Sequence, residues 1–447
     1  MKIAWYTPYS TYSAIGAFSR EVIRSLHQMD HEVITVRCES PNSSLLKSEA
    51  VAVGRLMRAI DIDQHVEEFL EGFDAVVYNI GNHLHNHHFA IEHQKRVPGV
   101  TILHDFLLHH LLSEQCSQSN GPSYEEILVE EAGLDAVNAF REAALGSIQT
   151  DWYMSKASEF PVLRFAIAKT LGVVTHADFY RESTRRILNC PITTIPLAYP
   201  QQMEASLELP KKTMGRMRLL TIGDVNTNKR CESIIRAIGG SSELAANWEY
   251  RIAGSITKNF RDHLHHLAKS VPFPVELCSL GKVDDQTLKA EVESTHAISC
   301  LRHPIIEGAS ASVIVALSSG RPTLVSDGGC YAEIPNTLVF RVTVAKEIED
   351  IGKRLSEIFN NYNAAIQIST AARSWSLHRH SGGAYARELV PFLESIIRVR
   401  PLIHLSDKVG RCLADWDCPS NAAVVDRMVG IIAELFPNST DKTESRT

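Results

Sequence analysis

Residues 300–335 read CLRHPIIEGASASVIVALSSGRPTLVSDGGCYAEIP. A carboxylate, Glu307, stands before a row of small residues, and an apolar helical run at 313–317 and a buried strand at 322–325 follow. The small residues are Gly308, Ala309, Ser310, Ala311 and Ser312. Small side chains at a helix start leave backbone N–H groups open to a ligand, and the helix dipole favours an anion there. Since a carboxylate accepts hydrogen bonds from sugar hydroxyls, the stretch predicts a site for a sugar nucleotide.

The composition is typical of a globular protein with two domains. A chain of 447 residues is long for one core, and two domains of about 200 residues are the usual solution. The net charge of −7 gives no general basic field, which argues against nucleic acid as a partner. Nine scattered cysteines without a CxxC pair favour reduced thiols and a cytoplasmic location.

Membrane insertion is not expected. The N-terminus, MKIAWYTPYS, lacks the apolar core and cleavage site of a signal peptide, and no run of about 18 apolar residues occurs. Peripheral association with the inner face of a membrane is left open, because the segment at 201–218 is basic towards its end.

Strands and helices alternate along the chain. Apolar runs at 2–6, 33–36, 75–78, 100–103 and 173–175 predict the strands of a first domain. A second series begins at Leu219, within LLTIGDVNTNKRCESIIRAIG, which reads as strand, loop and helix. This alternation predicts an α/β protein with parallel doubly wound sheets, whose ligands bind beyond the carboxyl ends of the strands.

The same pattern sets the predicted boundaries. We expect a first domain at 1–205, a second at 206–378, a crossover helix with a helical extension at 379–436, and a disordered tail at 437–447, with a linker at 201–218. Helices are predicted at 17–28, 124–145 and 163–171, and a break at Trp375 precedes a long amphipathic helix.

Polar side chains follow the predicted strands of the first domain, at the edge where a ligand would bind. His104 and Asp105 come directly after the strand VTIL, and an imidazole there can donate to a phosphate or a sugar oxygen. The further candidates on this side are Asn79, Asn82, His83 and His176. His104 could instead be a satisfied structural histidine and His176 a helix cap, and Gly16, at the end of the loop after the first strand, could be a plain turn glycine.

In the second domain Lys229 lies six residues after Gly223, on the loop before a helix. An ammonium group beside a helix N-terminus is well placed to meet a diphosphate, and Arg230 is a weaker candidate for the same task. Structural alternatives exist here too: a solvated loop lysine, a helix-capping carboxylate at Glu307, and N-cap serines.

Eight of the 20 histidines fall between residues 83 and 110. They are His83, His85, His87, His88, His93, His104, His109 and His110. The segment contains no cysteine and no HExxH motif, so a metal site is not predicted.

Together these segments resemble the GT-B glycosyltransferases, and specifically the retaining glycosyltransferases of family four. The likeness is carried by PYSTYSAIGAFSREV (8–22), GVTILHDFLLHHLL (99–112), VVTHADFYR (173–181), IGDVNTNKRCESIIRAI (222–238) and LRHPIIEGASASVIVALSSGRPTLVSD (301–327). They occur in the family's order and, with the segment around Trp375, cover about 380 residues. The resemblance implies two Rossmann-like domains facing across a cleft and a C-terminal helix that crosses back to the first domain.

The resemblance also implies roles for residues. The lysine matching Lys229 binds the donor diphosphate, the carboxylate matching Glu307 contacts the donor sugar, and the backbone at 308–312 holds sugar and phosphate. The loop at Gly16 and the pair His104-Asp105 lie near the reacting centre. The loop Gly281-Lys282-Val283 lies near the base.

Two positions depart from the family pattern. Asp224 stands where the family has an arginine that contacts phosphate, and Val315 stands where the second Glu of an E-x7-E motif contacts ribose. A valine cannot accept hydrogen bonds from hydroxyl groups. Arg302 and Arg230 are the candidates to supply the missing positive charge.

The function implied by the resemblance is transfer of a glycosyl group from a nucleoside diphosphate sugar to an acceptor hydroxyl with retention, in bacterial polysaccharide or glycoconjugate synthesis. The nucleotide sugar is a co-substrate, and neither a cofactor nor a metal ion is expected. The acceptor would be a glycan, a lipid-linked oligosaccharide or a protein. A nucleotide-sugar epimerase and a catalytically inactive partner subunit stay open as alternatives, while the missing GxGxxG pattern disfavours a dehydrogenase.

Overall fold

The structure is a computed structural model, and it describes residues 1–118, 121–145, 156–167, 169–200, 210, 215–419 and 422–435. The boundary predicted at 205/206, most of the linker at 201–218 and the tail at 437–447 lie outside these residues.

The first domain is built on a seven-stranded parallel sheet in the order β3-β2-β1-β4-β5-β6-β7. Its strands are β1 (Lys2–Thr7), β2 (Glu32–Arg37), β3 (Arg55–Arg58), β4 (Ala75–Ile80), β5 (Val100–Leu103), β6 (Gly172–Thr175) and β7 (Ile192–Thr194). Its helices are α1 (Ala14–Gln28), α2 (Ala59–Ile62), α3 (Val66–Glu71), α4 (Leu84–Arg96), α5 (His109–Gln118), α6 (Tyr124–Ala132), α7 (Leu134–Leu145), α8 (Arg164–Ile167) and α9 (Arg181–Ile187). Because helices cover both faces, the central strands are buried apolar runs rather than alternating ones.

The second domain has a six-stranded parallel sheet in the order β10-β9-β8-β11-β12-β13. Its strands are β8 (Met217–Ile222), β9 (Trp248–Ala253), β10 (Glu276–Gly281), β11 (Ala297–Cys300), β12 (Thr323–Ser326) and β13 (Phe340–Val342). The helices that follow are α10 (Cys231–Gly239), α11 (Ser242–Asn247), α12 (Lys258–Ser270), α13 (Asp285–Ser294), α14 (Ala311–Ser318), α15 (Glu347–Asn360), α16 (Tyr362–Arg379), α17 (Gly382–Asp415) and α18 (Ala423–Leu435). In each sheet the strand order reverses next to the first strand of its domain, which opens a crevice at the carboxyl edge.

The predicted crossover helix is present. Helix α16 packs on α14 in the second domain, whereas α17 packs on α1 in the first, with the rings of Tyr385 and Phe18 5.0 Å apart. The helix breaks at His380-Ser381, not at Trp375 as expected, because the Ser381 side chain accepts from the Ala384 N–H and starts a new helix. The backbone of His380 accepts from Tyr199 N–H (3.0 Å), and its Nδ1 lies 2.8 Å from the carbonyl oxygen of Leu197, so the two connections between the domains touch.

Several predicted boundaries were wrong. The first helix begins at Ala14, because Ser13 caps it by accepting from the Gly16 N–H. By contrast, the helical pattern at 124–145 is confirmed: it forms the two helices α6 and α7, which Gly133 separates with a left-handed φ of 82°. Within 163–171, the helical part of the described residues is the single turn Arg164–Ile167. Among the described residues, no helix combines the length and the apolar character needed to cross a bilayer.

The start of α17 allows a test of the crossover packing. A methyl group at Gly382 would meet the Glu21 carbonyl oxygen at 2.6 Å, so Gly382→Ala should lower the free energy of unfolding by about 1–3 kcal/mol. The neighbouring Gly383→Ala meets only the end of the Arg387 side chain, at 3.5 Å, and should be neutral or stabilising. Urea unfolding of the two variants measures the difference; equal effects would contradict the close approach of α17 to α1.

Candidate functional site

A cavity of about 440 Å³ lies between the carboxyl edges of the two sheets. The first domain lines it with Asn82, Asp105, Leu107 and His110. The second domain contributes Asn226, Asn228, Arg302, Ile306, Glu307, Ala309, Ser310, Ala311 and Ser312. Residues of the segment 300–335 therefore form one wall of an interdomain cavity.

Glu307 is fixed in this wall by two hydrogen-bond donors. Its Oε1 accepts from Nε of Arg302 (2.8 Å) and from the hydroxyl of Tyr331 (2.7 Å), and its side chain is 17% exposed. Arg302 also donates from Nη1 to Oδ1 of Asn228 (2.7 Å). The carboxylate keeps one oxygen outside this network, and Arg302 adds positive charge beside the cavity.

The start of α14 forms the adjacent wall. Ser310 is its N-cap and accepts from the Val313 N–H (3.4 Å), which matches the structural alternative for this serine. Ala311 and Ser312 begin the helix, and the first amides of a helix have no partner within it. The arrangement gives an anion exposed N–H groups next to a carboxylate that can accept from hydroxyls.

Lys229 lies behind this wall and is only 2% exposed. Its Nζ donates to the Ile222 carbonyl oxygen (2.5 Å) and to Oγ of Ser312 (3.3 Å), so it reaches the cavity through that serine. Burial, and after it the charge of Arg302, lowers the pKa of Lys229 to about 8. Charge on a ligand at Ser312 would therefore be felt directly by the ammonium group.

Asp105 faces Glu307 from the first domain. Its Oδ2 accepts from the Asn82 N–H (2.9 Å), and Oδ1 of Asn82 accepts from the Leu111 N–H (3.0 Å). Burial raises the pKa of the Asp105 carboxyl, and the negative charge of Glu307 adds to that rise. The two domains thus present a carboxyl group each to the same space.

Solved structures share this architecture. A glycosyltransferase from Rickettsia africae has a TM-score of 0.61 at 14% identity, covering 89% of this chain and 98% of that one. The catalytic domain of starch synthase IV from Arabidopsis thaliana, bound to ADP and acarbose, gives 0.59 at 11% identity, covering 89% and 99%. HepE from Anabaena, in complex with UDP and glucose, gives 0.54 at 12% identity, covering 88% and 100%. No family model and no curated protein matches the sequence.

The chain has the GT-B fold. At these identities the likeness establishes the architecture alone, namely two Rossmann-like domains and a cleft between them. The predicted fold class is confirmed, and the positions of the individual site residues have to be read from the geometry of this GT-B chain itself.

His104 and His176, which follow β5 and β6, lie beneath the cavity lining. Nε2 of His104 lies 2.9 Å from Oδ1 of Asn79, and its Nδ1 lies 3.3 Å from Nε2 of His176, whose Nδ1 lies 3.1 Å from the carbonyl oxygen of Ile195. Burial lowers the pKa of His104 well below its ordinary value and that of His176 to about 4. Both ring nitrogens of His104 have hydrogen-bond partners within the protein, whereas the sequence predicted that this imidazole donates to a ligand.

Five other histidines of the segment 83–110 are either bonded inside the first domain or open to solvent or the cavity, while His85 and His88 are partly buried. His87, His93 and His109 are buried and bonded within the first domain, whereas His83 is exposed near Glu114 and His110 lines the cavity. Within the described ranges no three His, Cys, Asp or Glu side chains are grouped as a metal site requires.

Other predicted donor residues lie at the edge of the cavity or outside it. Arg230 binds Glu347 with two nitrogens (2.9 and 2.8 Å), so the prediction that it meets the donor finds no support in its contacts. Gly16 lies in the first turn of α1, where a methyl group would meet the Pro8 carbonyl oxygen at 2.5 Å. Lys282 lies across the cleft over the ring of Tyr12, at 5.2 Å. Gly281 precedes it with a φ of 71°.

The two departures from the family pattern also have a place in the fold. Asp224 is exposed on the loop after β8. Val315 is 6% exposed on α14 and belongs to an apolar cluster that Val283, Leu197 and Tyr199 also join. The position where a ribose-binding carboxylate would be expected is therefore apolar.

Four polar residues of the site were not predicted from the sequence as site residues: Tyr331, Asn226, Asn228 and His110. Tyr331 donates a hydrogen bond to Glu307 from 24 residues away, and no local sequence pattern indicates this pairing. Asn226 and Asn228 were present in the quoted DVNTNKR loop, and polar residues after a strand were the available signal.

The buried ammonium group gives a pH prediction. The folded pKa of Lys229, about 8, lies below its unfolded value of 10.5, so the unfolded chain binds the proton more tightly between these pH values. Relative to Lys229→Met, the wild-type free energy of unfolding should rise by about 2 kcal/mol between about pH 8 and pH 10. Urea titrations measure this difference, and Lys289→Met, at a side chain 44% exposed, is the control. A flat difference for Lys229→Met would contradict its burial.

Proposed function

We propose that this protein is a glycosyltransferase that moves a glycosyl group from a nucleoside diphosphate sugar to an acceptor hydroxyl with retention. The shared cavity carries the proposal: Glu307, the first amides of α14 and Asp105 face one space of about 440 Å³. A carboxylate beside open amides suits a sugar beside a phosphate. Proteins of this fold bind UDP with glucose, and ADP with acarbose, which supports a donor of this class.

In the proposed reaction the bond between the anomeric carbon and the diphosphate oxygen breaks. The acceptor oxygen bonds to the same carbon on the same face, and its proton passes to the departing phosphate oxygen. Lys229, Arg302 and the α14 amides stabilise the charge that develops on the diphosphate. Glu307 accepts from hydroxyls of the donor sugar and orients its ring, so no protein base is required.

The first domain supplies the acceptor side. Asp105 and Asn82 lie opposite Glu307 and are the groups proposed to orient the acceptor hydroxyl. The acceptor would be a glycan, a lipid-linked oligosaccharide or a protein, in polysaccharide or glycoconjugate synthesis. All nine cysteines are free thiols, which supports a cytoplasmic enzyme, with peripheral membrane contact as part of the proposal when the acceptor is lipid-linked.

Donor binding is testable by thermal shift. UDP, ADP, GDP and their glucose conjugates should be screened, because a ligand that binds only the folded form raises the melting temperature. Lys229→Ala and Glu307→Gln should lose most of the shift, and kcat of Glu307→Gln should fall by about 10²–10³-fold. Lys289→Ala and Glu357→Gln, at half-exposed side chains of the second domain, are the matched controls. Unchanged shifts in both site variants would reject the site.

The same assays separate the alternatives. An inactive partner subunit, which the apolar Val315 position favours, would bind a nucleoside diphosphate without transfer or hydrolysis. An epimerase would convert the donor sugar without an acceptor. NMR of the anomeric proton in the product reports retention, and an inverted product would overturn that part of the proposal.

The proposed charge stabilisation uses protein groups alone. Transfer activity should therefore be unchanged, within about twofold, after dialysis against EDTA, because Lys229, Arg302 and the α14 amides neutralise the leaving group. A known Mg²⁺-dependent transferase treated in parallel is the control. Loss of activity that Mg²⁺ or Mn²⁺ restores would contradict this mechanism.

A further inference from the structure

A short turn of the first domain, Asp178–Tyr180, contacts the second domain beside the cavity; we call it the clamp turn. Oε1 of Glu333 accepts from the backbone N–H groups of Asp178 (2.6 Å) and Phe179 (3.2 Å). Burial raises the pKa of the Glu333 carboxyl, while these two bonds favour its charged form. A carboxylate of one domain thus caps the turn of the other.

Tyr180 makes the second contact of the clamp turn. A methyl group at Gly308 would lie 2.5 Å from the Tyr180 hydroxyl and 2.9 Å from its Cζ, so only a glycine fits beneath this ring. The ring is 1% exposed and fixed in place. Its hydroxyl accepts from the His176 N–H (2.9 Å) and donates to the Leu103 carbonyl oxygen (3.4 Å).

The residues on either side of Glu307 therefore both touch the first domain. Ile306 packs against the apolar core of that domain, as does Cys330, although both belong to loops of the second. Cys330 precedes Tyr331, the donor to the Glu307 carboxylate, and Glu333 follows two residues later. Both segments that orient this carboxylate therefore contact the opposite domain in addition to their own.

We infer that Tyr180 and Glu333 are positioning residues, which set the Glu307 carboxylate only when the two domains are docked on each other. Gly308 then serves the fit of the Tyr180 ring, rather than the approach of a donor to bare backbone. Separation of the domains removes the first-domain contacts of both the Glu307 loop and the Tyr331 turn at once. The inference rests on the proposed function wherever activity is the readout.

This arrangement links catalysis to closure. With the domains apart, Glu307 keeps Arg302 and Tyr331, which belong to its own domain, but the two loops that carry Glu307 and Tyr331 lose their contacts with Tyr180 and with the clamp turn. A donor bound to the second domain alone would meet a carboxylate whose loop is not held against the first domain, which protects the donor from reaction with water.

A double-mutant cycle separates the two roles of Gly308. Gly308→Ala should lower kcat by about tenfold or more and leave UDP affinity within about threefold, because a misplaced carboxylate costs rate more than binding. In the background of Tyr180→Leu, whose shorter side chain vacates the space, the same substitution should cost about threefold or less. An equal cost in both backgrounds would mean that Gly308 acts on the donor directly, and would overturn the inference.

Controls keep this cycle interpretable. Gly352→Ala, where a methyl group meets only Leu244 at 3.6 Å, should leave kcat unchanged. Tyr180→Phe keeps the ring and loses the hydroxyl, the atom nearest Gly308, and it replaces Tyr180→Leu if the latter melts too low to assay. Its partial relief of the Gly308→Ala defect supports the inference, and no relief in either background overturns it.

Hydrogen exchange tests the clamp without any activity. In Glu333→Ala the amides of Asp178 and Phe179 should exchange about tenfold faster or more, since their acceptor is gone. Glu333→Gln retains an acceptor oxygen and should restore most of the protection and of kcat. Unchanged exchange in Glu333→Ala overturns the inference. If the wild type neither binds UDP nor transfers a sugar, the proposed function fails while this exchange result still decides the clamp.

Discussion

One short connection, between the end of β11 and the start of α14, constrains the rest of the site. It has to deliver a carboxylate and open backbone amides to the same edge of a parallel sheet, and the right-handed path from strand to helix places both there. Glu307 lies in this connection and Ser310 ends it. The buried Lys229 and the Arg302 guanidinium supply positive charge from neighbouring loops of the same edge.

Local sequence predicted most of the fold, because parallel strands covered on both faces are continuous apolar runs. The prediction failed for strands that are not continuous apolar runs. The edge strand Arg55–Arg58 begins and ends with a charged residue, and the strand Ile192–Thr194 spans only three positions. The break before the crossover helix was misplaced because a Ser381 cap, rather than Trp375, ends one helix and starts the next.

The candidate site was predictable in outline and not in its pairings. The motif around Glu307 and the ends of the first-domain strands indicated the right edge of each sheet. A side chain that is already hydrogen-bonded within the protein is not free to bind a ligand, and such partners come from distant segments. Arg230 binds Glu347, which lies 117 residues away, and the hydrogen bonds of His104 keep it inside the first domain. Periodicity and spacing carry no information on such partners, whose positions are fixed by packing.

The chain passes between its domains twice, after Pro200 and at His380-Ser381, and the hydrogen bonds of His380 to Leu197 and Tyr199 bring these passages side by side. Two interdomain connections that are far apart would fix one axis of rotation between the domains. Two connections that are hydrogen-bonded together act instead as a single pivot. Rotation about a single pivot leaves the parts of each domain that are remote from it free to move in more than one direction. The relative orientation of the domains therefore depends on contacts at a distance from this pivot.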